Sequence, residues 1–464
     1  MPDGLLVCDA VVVNADGRPP GLVDIEVDGG AIGRIGPSLP RAGKTVVDAK
    51  GAYVLPGLVD PHVHVSGRFG TAAGFRMMVR AGVTTCLDMA GEPASLLSSL
   101  RTDGCGMTVG VLYPLVPGDT VAGRDPSRSE IHEQLERQAA AGAFGLKVLG
   151  GHYPLTPEAT ARTIEVCAEF GVHCGIHAGT TATGSNIEGL EELVGLSAGR
   201  RFQAAHINAY CRGQVTDPVE EAGRAIAALR KIPASPSESY LAIINGAEAA
   251  CVDGVPLSNV VKTCLRKGGY PVTEQGMIDA ITAGWARIQA EKDGMVVLVG
   301  PSEGLELFRS RETKVGVSFP VNQPAAALAL ALARGGDGRR FAVDAFSTDG
   351  GSIPRNTTLR QAMGLVAAGL LTLEDLVLKG SLAGARMLGL AAKGRIHAGA
   401  DADMTVVGGD GDAAVTIAGG RVVYDHGRFP ARDGGRVFCR PEGAAAVKAA
   451  GVGYVRTETI ATRA

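Results

Sequence analysis

The sequence predicts an α/β protein, a TIM-like (β/α)8 barrel carrying a small β-sandwich domain built from both chain ends. Two patterns predict it. Both ends read as short strands, while the middle alternates short apolar runs with helical patterns, as a parallel barrel requires. The competing arrangement is a doubly wound open sheet. No GxGxxG follows a first strand, which counts against a dinucleotide fold.

Each element follows from its residues. Leu5–Asn14, Leu22–Val27, Ala31–Ile35 and Thr45–Asp48 are strand-like, and Asp28-Gly29-Gly30 is a hairpin signal. Asp403–Val407, Val415–Ala418 and Arg421–Tyr424 repeat the pattern at the other end, with Gly419-Gly420 as a turn. Residues 1–55 and 395–440 are therefore assigned to the small domain and 56–394 to the barrel, leaving 441–464 as an Ala-rich tail with a peripheral helix. The predicted barrel strands are Tyr53–His64, Val83–Met89, Met107–Val116, Phe144–Leu149, Val172–His177, Phe202–Ile207, a weak Ile232–Ser237, and Phe341–Thr348. Between them lie helices Ser129–Ala141, Thr156–Phe170 and Asp217–Arg230, the last two opening on a capping residue followed by Pro. Later helices are Glu274–Ala290, Pro324–Arg334 and Leu359–Ala368. Ser235–Val272 has no clean period and reads as an elaborated loop over the site.

Composition excludes several classes. Lys and Arg number 45 against 48 Asp and Glu, a net charge of −3, so nothing attracts a polyanion or an anionic membrane. Aromatic residues are 4%, too few for base-stacking platforms. Hydrophobic residues are 45%, enough for a large core, so the chain folds despite its 66 glycines. Those glycines recur where strands hand over to loops, as at Gly67, Gly70, Gly150-Gly151, Gly179, Gly184, Gly213 and Gly350-Gly351. No run approaches the roughly 18 apolar residues of a membrane span, and MPDGLLVCDAVVV lacks the basic start of a secretion signal. With nine cysteines and no CxxC, a cytoplasmic protein with reduced thiols is expected.

The chemistry-bearing residues sit at strand ends. His62-Val63-His64 closes the first barrel strand, and positions i and i+2 share a face, so two imidazoles project together. Imidazole is the commonest metal ligand. His177 and His206 close two further strands, on the rim where barrel enzymes place reacting groups. His132, His173, His397 and His426 read as loop or surface residues, and His152 lies just past a strand end. Lys147 interrupts the apolar run FGLKVL. A core-facing amine is driven neutral, and beside cations it can take up carbon dioxide as a carbamate with two bridging oxygens. The alternative is a stem that snorkels to solvent. Asp349 follows the last strand and could ligate a metal and shuttle a proton. Asp60, Asp88 and Asp344 are neighbouring carboxylates, with Asp60 deeper and structural.

These motifs resemble the metal-dependent amidohydrolase superfamily over most of the chain. They are VLPGLVDPHVH at Val54–His64, KGRIHAGADAD at Lys393–Asp403, and GVTTCLDM at Gly82–Met89. The last is similar to the second strand of the hydantoinase, allantoinase and dihydroorotase branch. The resemblance implies two divalent cations per subunit, zinc first, with manganese, iron or cobalt as alternatives. His62 and His64 would bind one, His177 and His206 the other. Carboxylated Lys147 would bridge them, and Asp349 would ligate the first and act as general acid/base. The implied activity is hydrolysis of an amide C–N bond by a hydroxide held between the cations. The implied substrate is a small cyclic amide: a hydantoin, lactam, imide or dihydropyrimidine. The implied assembly is a homodimer or homotetramer.

Rim candidates for substrate contact are Tyr153, His152, Arg212, Asn208, Tyr240 and Arg355, with Asn322 a weaker one. Two features depart from the hydantoinase pattern. His177 and His206 are 29 residues apart, closer to the isoaspartyl dipeptidase type, and the tyrosine expected soon after the lysine has only Tyr153 and His152 to stand for it. Rival readings are a mononuclear aminohydrolase, an isoaspartyl-dipeptidase-like peptidase, a non-catalytic scaffold, and a hydrolase built on Cys86 or Cys211.

Overall fold

The computed structural model describes residues 4–17, 21–66, 69–335 and 341–457. Gly67 and the last seven residues of the tail lie outside them. Both chain ends meet in one sheet. Its order is Arg421–Asp425, Ala413–Ala418, Met404–Val407, Tyr53–Pro56, Leu5–Val12, Leu22–Asp28 and Ala31–Gly36, with Thr45–Asp48 also paired to Leu5–Val12. Alternate residues such as Leu5, Val7, Ile25, Val27, Met404 and Ile417 pack into one apolar cluster.

The chain leaves this sheet at Gly57 and enters a parallel one. Its strands are β1 (Leu58–His64), β2 (Val83–Asp88), β3 (Thr108–Leu115), β4 (Gly145–Leu149), β5 (His173–His177) and β6 (Gln203–Ala204), each paired to the next. A bridge from Ala204 to Ser237 leads to β7 (Glu238–Ser239), which pairs with β8 (Ala345–Phe346). Gly350–Gly351 then pairs with Val63 and His64, returning the ladder to β1. The seventh strand is therefore Glu238–Ser239, where a weak strand was expected over Ile232–Ser237. Helices lie between the strands, and their starts obey the sequence signals. Thr156 accepts a hydrogen bond from Ala159 N, and Asp217 from Val219 N and Glu220 N.

Two regions differ from expectation. The elaboration extends well past Val272. It holds helices Asn259–Lys267, Glu274–Thr282 and Pro301–Ser310 and a four-stranded sheet containing Arg287–Lys292. It has its own core, including Val261, Leu265, Met277, Ile281, Phe308 and Phe319. The expected helix Glu274–Ala290 is thus a helix to Thr282 followed by a strand. The tail forms helix Ala444–Ala449 and strand Gly453–Arg456, which joins Arg436–Cys439 and through it β3.

The Lys393–Asp403 run ties the two sheets together. Buried Lys393 pairs with Asp401 at 2.8 Å and also with Asp403, and Arg436 reaches Asp401 at 2.9 Å. No helix among the described residues is long and apolar enough to cross a membrane.

Candidate metal centre and active site

The C-terminal ends of the parallel strands open into a cavity of about 920 Å³, with the elaboration forming its far wall. All six expected ligands line its floor, from β1, β4 and β5, the turn after β6 and the loop after β8: His62, His64, Lys147, His177, His206 and Asp349. His62 Nε2 and His64 Nε2 converge on one oxygen of Asp349, Oδ1, at 3.3 and 3.2 Å. The three ligand atoms lie within 4.8 Å of one another, compact enough to share a cation. On the other side, His206 Nε2 is 3.1 Å from His177 Nδ1, and the buried Nδ1 of His206 has no hydrogen-bond partner. Two nitrogens and an oxygen in one group, with two further imidazoles and a lysine beside it, fit a transition-metal site.

The local backbone is strained where the ligands are placed. His206 has φ 33° and Asp349 φ 48°, left-handed values uncommon for residues with a side chain. The Asp349 N–H donates to His62 O at 2.9 Å, which locks β8's end against β1. Gly151 follows from packing: a Cβ there would stand 2.2 Å from His177 Nε2.

Burial sets the protonation states. Lys147 is 1% exposed, its Nζ donates to Met89 Sδ at 3.6 Å, and burial lowers its amine to about 8 against the pull of Glu238 and Asp349. Burial likewise lowers His152 to about 4 and holds His177 and His206 well below the usual imidazole range, so these rings are neutral bases. For Asp349, burial pushes upward, but the Arg355 guanidinium and the two imidazoles outweigh it and hold the carboxyl well below its usual range. Arg355 Nη2 is 2.5 Å from Asp349 Oδ2.

The sequence pattern of the Amidohydrolase family matches residues 53–423, which include all of these residues. The chain belongs to the amidohydrolase family. Within it, 106 residues are 34% identical to the adenine deaminase of Deinococcus radiodurans, covering 23% of this chain and 19% of that protein. A stretch of 73 residues is 44% identical to the allantoinase of Salmonella choleraesuis, covering 15% of this chain and 16% of that one. The match thus spans less than a fifth of either relative. Among solved structures, the D-hydantoinase of Thermus sp. superposes with a TM-score of 0.60 at 18% identity over 93% of this chain and 98% of that one. The N-acyl-D-glutamate deacylase of Bordetella bronchiseptica, solved with zinc and a phosphonate inhibitor, gives 0.64 at 15% over 94% and 99%. A D-aminoacylase described for its binuclear metal centre gives 0.65 at 14% over 94% and 99%. At such identities the likeness is one of fold.

The remaining residues of this amidohydrolase divide into three groups. Tyr153, His152 and Arg212 line the cavity, and Tyr153 is the most open of them. Arg355 lines it too, but its charge is spent on Asp349, so it positions an acid rather than meeting solvent. Asn208 and Tyr240, expected at the substrate, are fully buried and do not line the cavity. Asn208 Oδ1 accepts from Ser239 Oγ at 3.0 Å and Tyr240 N at 3.1 Å, which makes it a brace for β7. His173 is a core residue, not a surface one: it stacks on Phe144 and its Nε2 lies 2.7 Å from Gln203 Oε1.

Asp60 is structural as expected, accepting from His62 N and Thr348 N, both at 3.0 Å. Cys86 and Cys211 are buried, and burial pushes both thiols up, the opposite of an activated nucleophile.

One residue escaped the sequence reading. Glu238, fully buried, accepts from His62 Nδ1 at 2.6 Å and from His206 N at 2.7 Å, and also holds Ser347 Oγ. It fixes the proton on His62 Nδ1 and so leaves Nε2 unprotonated, with its lone pair facing the cavity. Its only signal was an acid in the run SPSESYL beside a weak strand.

Proposed function

We propose that this protein is a metal-dependent amide hydrolase acting on C–N bonds outside peptides, with a cyclic amide as substrate. The observation that carries the reading is the convergence of His62, His64 and Asp349 at the floor of a large cavity, with Lys147, His177 and His206 beside them. In this reading His62, His64 and Asp349 would hold one cation and His177 and His206 a second, and Lys147, once carboxylated, would supply an anionic ligand to both. Bound cations, zinc first among them, polarise a carbonyl and make water nucleophilic at neutral pH.

The chain's own residues do the rest. Asp349 is ionised at neutral pH, so it can accept the proton of the attacking water and deliver it to the leaving nitrogen. Arg355 aims that carboxylate, and Glu238 sets the tautomer of His62. Lys147 is poised near neutrality, so its nitrogen can bond to the carbon of CO2 while one N–H proton leaves and the charge passes to the two oxygens.

The architecture in this reading is a closed (β/α)8 barrel, supported by the ladder that returns to β1, with the chain-end sheet folded as a sandwich. A cytoplasmic homodimer or homotetramer goes with it. An acyclic N-acyl amide is the second reading, favoured by a cavity of about 920 Å³, far more than one small ring fills. The test is a turnover screen of metal-replete protein with hydantoins, dihydropyrimidines, lactams, cyclic imides, β-aspartyl dipeptides and N-acyl amino acids. Hydrolysis of a ring is expected. Hydrolysis of only acyl amides selects the second reading, and no turnover of any amide by correctly metallated protein rejects both.

A further inference from the structure

The cavity wall is unevenly charged. With the Asp349–Arg355 pair set aside, the wall away from the floor carries Arg212, Arg266 and Lys267 against Glu248. Arg212 is also held in place. Its Nε donates to Asn322 Oδ1 at 2.8 Å, and its Nη2 to Tyr240 Oη at 3.2 Å. Asn322 cannot turn away, because its Nδ2 donates to Ala242 O at 3.0 Å and Ile244 O at 2.9 Å. Tyr240 is in turn fixed through its N–H on Asn208. The guanidinium is thus fixed by neutral acceptors that leave its charge unspent.

Lys267, from the last turn of helix Asn259–Lys267, donates to Arg212 O, which brings a second cation alongside. Among the described residues no carboxylate pairs with Arg212 or Lys267. The nearby Glu221 is committed to the N–H groups of Gly213, Val215 and Thr216. Partial burial and the Arg212 charge both push the Lys267 amine down, as expected of two cations held together without an anion. Arg212 lines the same cavity as the candidate metal ligands.

We infer that Arg212, with Lys267 beside it, is a preformed anion subsite that selects amides carrying a carboxylate. This rests on the amide-hydrolase reading for the reacting bond, but binding alone can test the subsite. Tyr240 and Asn322 are its positioning residues. A fixed guanidinium meeting a carboxylate makes a charge-assisted hydrogen bond that a neutral amide cannot match, a preference of about 10- to 100-fold.

The experiment uses metal-replete full-length protein and three probe pairs: succinate against succinamide, glutarate against glutaramide, and hydantoin-5-acetate against hydantoin-5-acetamide. Binding is read by titration calorimetry and turnover by product release. At least one pair is expected to favour the charged member by 10-fold or more. That ratio falls toward unity in Arg212→Gln and Lys267→Met and is kept in Lys267→Arg, which controls for folding; Tyr240→Phe lowers it by a smaller factor. If no charged member is preferred by more than threefold, or the preference survives both Arg212→Gln and Lys267→Met, the subsite is overturned. A charge preference that depends on Arg212 with no turnover of any amide upholds the subsite and rejects the hydrolase reading instead.

Discussion

The two halves of the candidate centre are built from the same kinds of residue but are electrostatically unlike. The β1–β8 half, His62, His64 and Asp349, already contains an anion, and two of its three members have a support: Glu238 behind His62, Arg355 on Asp349. The β4–β6 half, Lys147, His177 and His206, contains none. Its imidazoles are held neutral by burial and its amine is poised near neutrality. A dication is stabilised by two nitrogens and a carboxylate as they stand. The second half reaches a comparable donor set only if Lys147 gains the charge of a carbamate. The comparison teaches that one site is preformed and the other conditional.

The largest expected effect comes from breaking the preformed half. Asp349→Asn keeps the shape, removes the anion shared by two imidazoles, and leaves Arg355 buried without its partner. Turnover of any amide substrate is expected to fall by about 10²- to 10⁴-fold, the usual worth of a positioned acid/base, with loss of bound metal by elemental analysis. If the variant keeps full metal content and a rate within threefold, Asp349 has neither role and the contrast between the halves collapses.

The readable parts of this molecule are those where a long element repeats one rule. β1, β4 and β5 are apolar runs ending in His or interrupted by Lys, so the ligands stood out against their own strands. β7 is two residues long and has no period, so Glu238 could not be placed on any face. The elaboration hid for the same reason: several of its strands are two residues long, and Arg287–Lys292 alternates too weakly to distinguish strand from helix. Gly284, at φ 76°, ends the preceding helix, and it was the one local mark of that break. Asn208 and Tyr240 were legible as rim positions, but only packing could turn them away from the cavity. Arg355 was read as a rim cation because sequence gives no sign that Asp349, six residues earlier, folds back against it.

A smaller effect tests the conditional half through stability. Lys147 titrates near 8 when folded and near 10.5 when unfolded. Its folded value is the lower one, so the folded state resists protonation. Below pH 8 the buried ammonium costs the full shift, about 3 kcal/mol at ~1.4 kcal/mol per unit. As pH rises from 8 toward 10.5 the unfolded chain holds more protons than the folded one, and the cost is recovered. In metal-free protein under CO2-free buffer, Lys147→Met is therefore expected to be the more stable form at pH 7 by urea denaturation. The gap should narrow by about 2 kcal/mol by pH 9.5. A gap constant across that range means that Lys147 is not held near neutrality, and the conditional half loses its physical basis.

The smallest effect concerns the support behind His62. In Glu238→Gln the side-chain oxygen can still accept from His62 Nδ1 and His206 N, and the new amide can donate to Ser347 Oγ, whose hydroxyl is free to rotate. The geometry is kept and only the charge is removed, so the variant isolates what the carboxylate does for the imidazole's basicity. Metal affinity at the β1–β8 half is expected to weaken by about 10- to 100-fold, with a smaller change at the β4–β6 half, where Glu238 meets His206 only through its backbone and Lys147 only through its charge. Competition with a chelator, followed by metal content at two occupancies, separates the two sites. An equal loss at both would mean that Glu238 serves the ring as a structural brace through β7, and that the two halves share one support rather than owning separate ones.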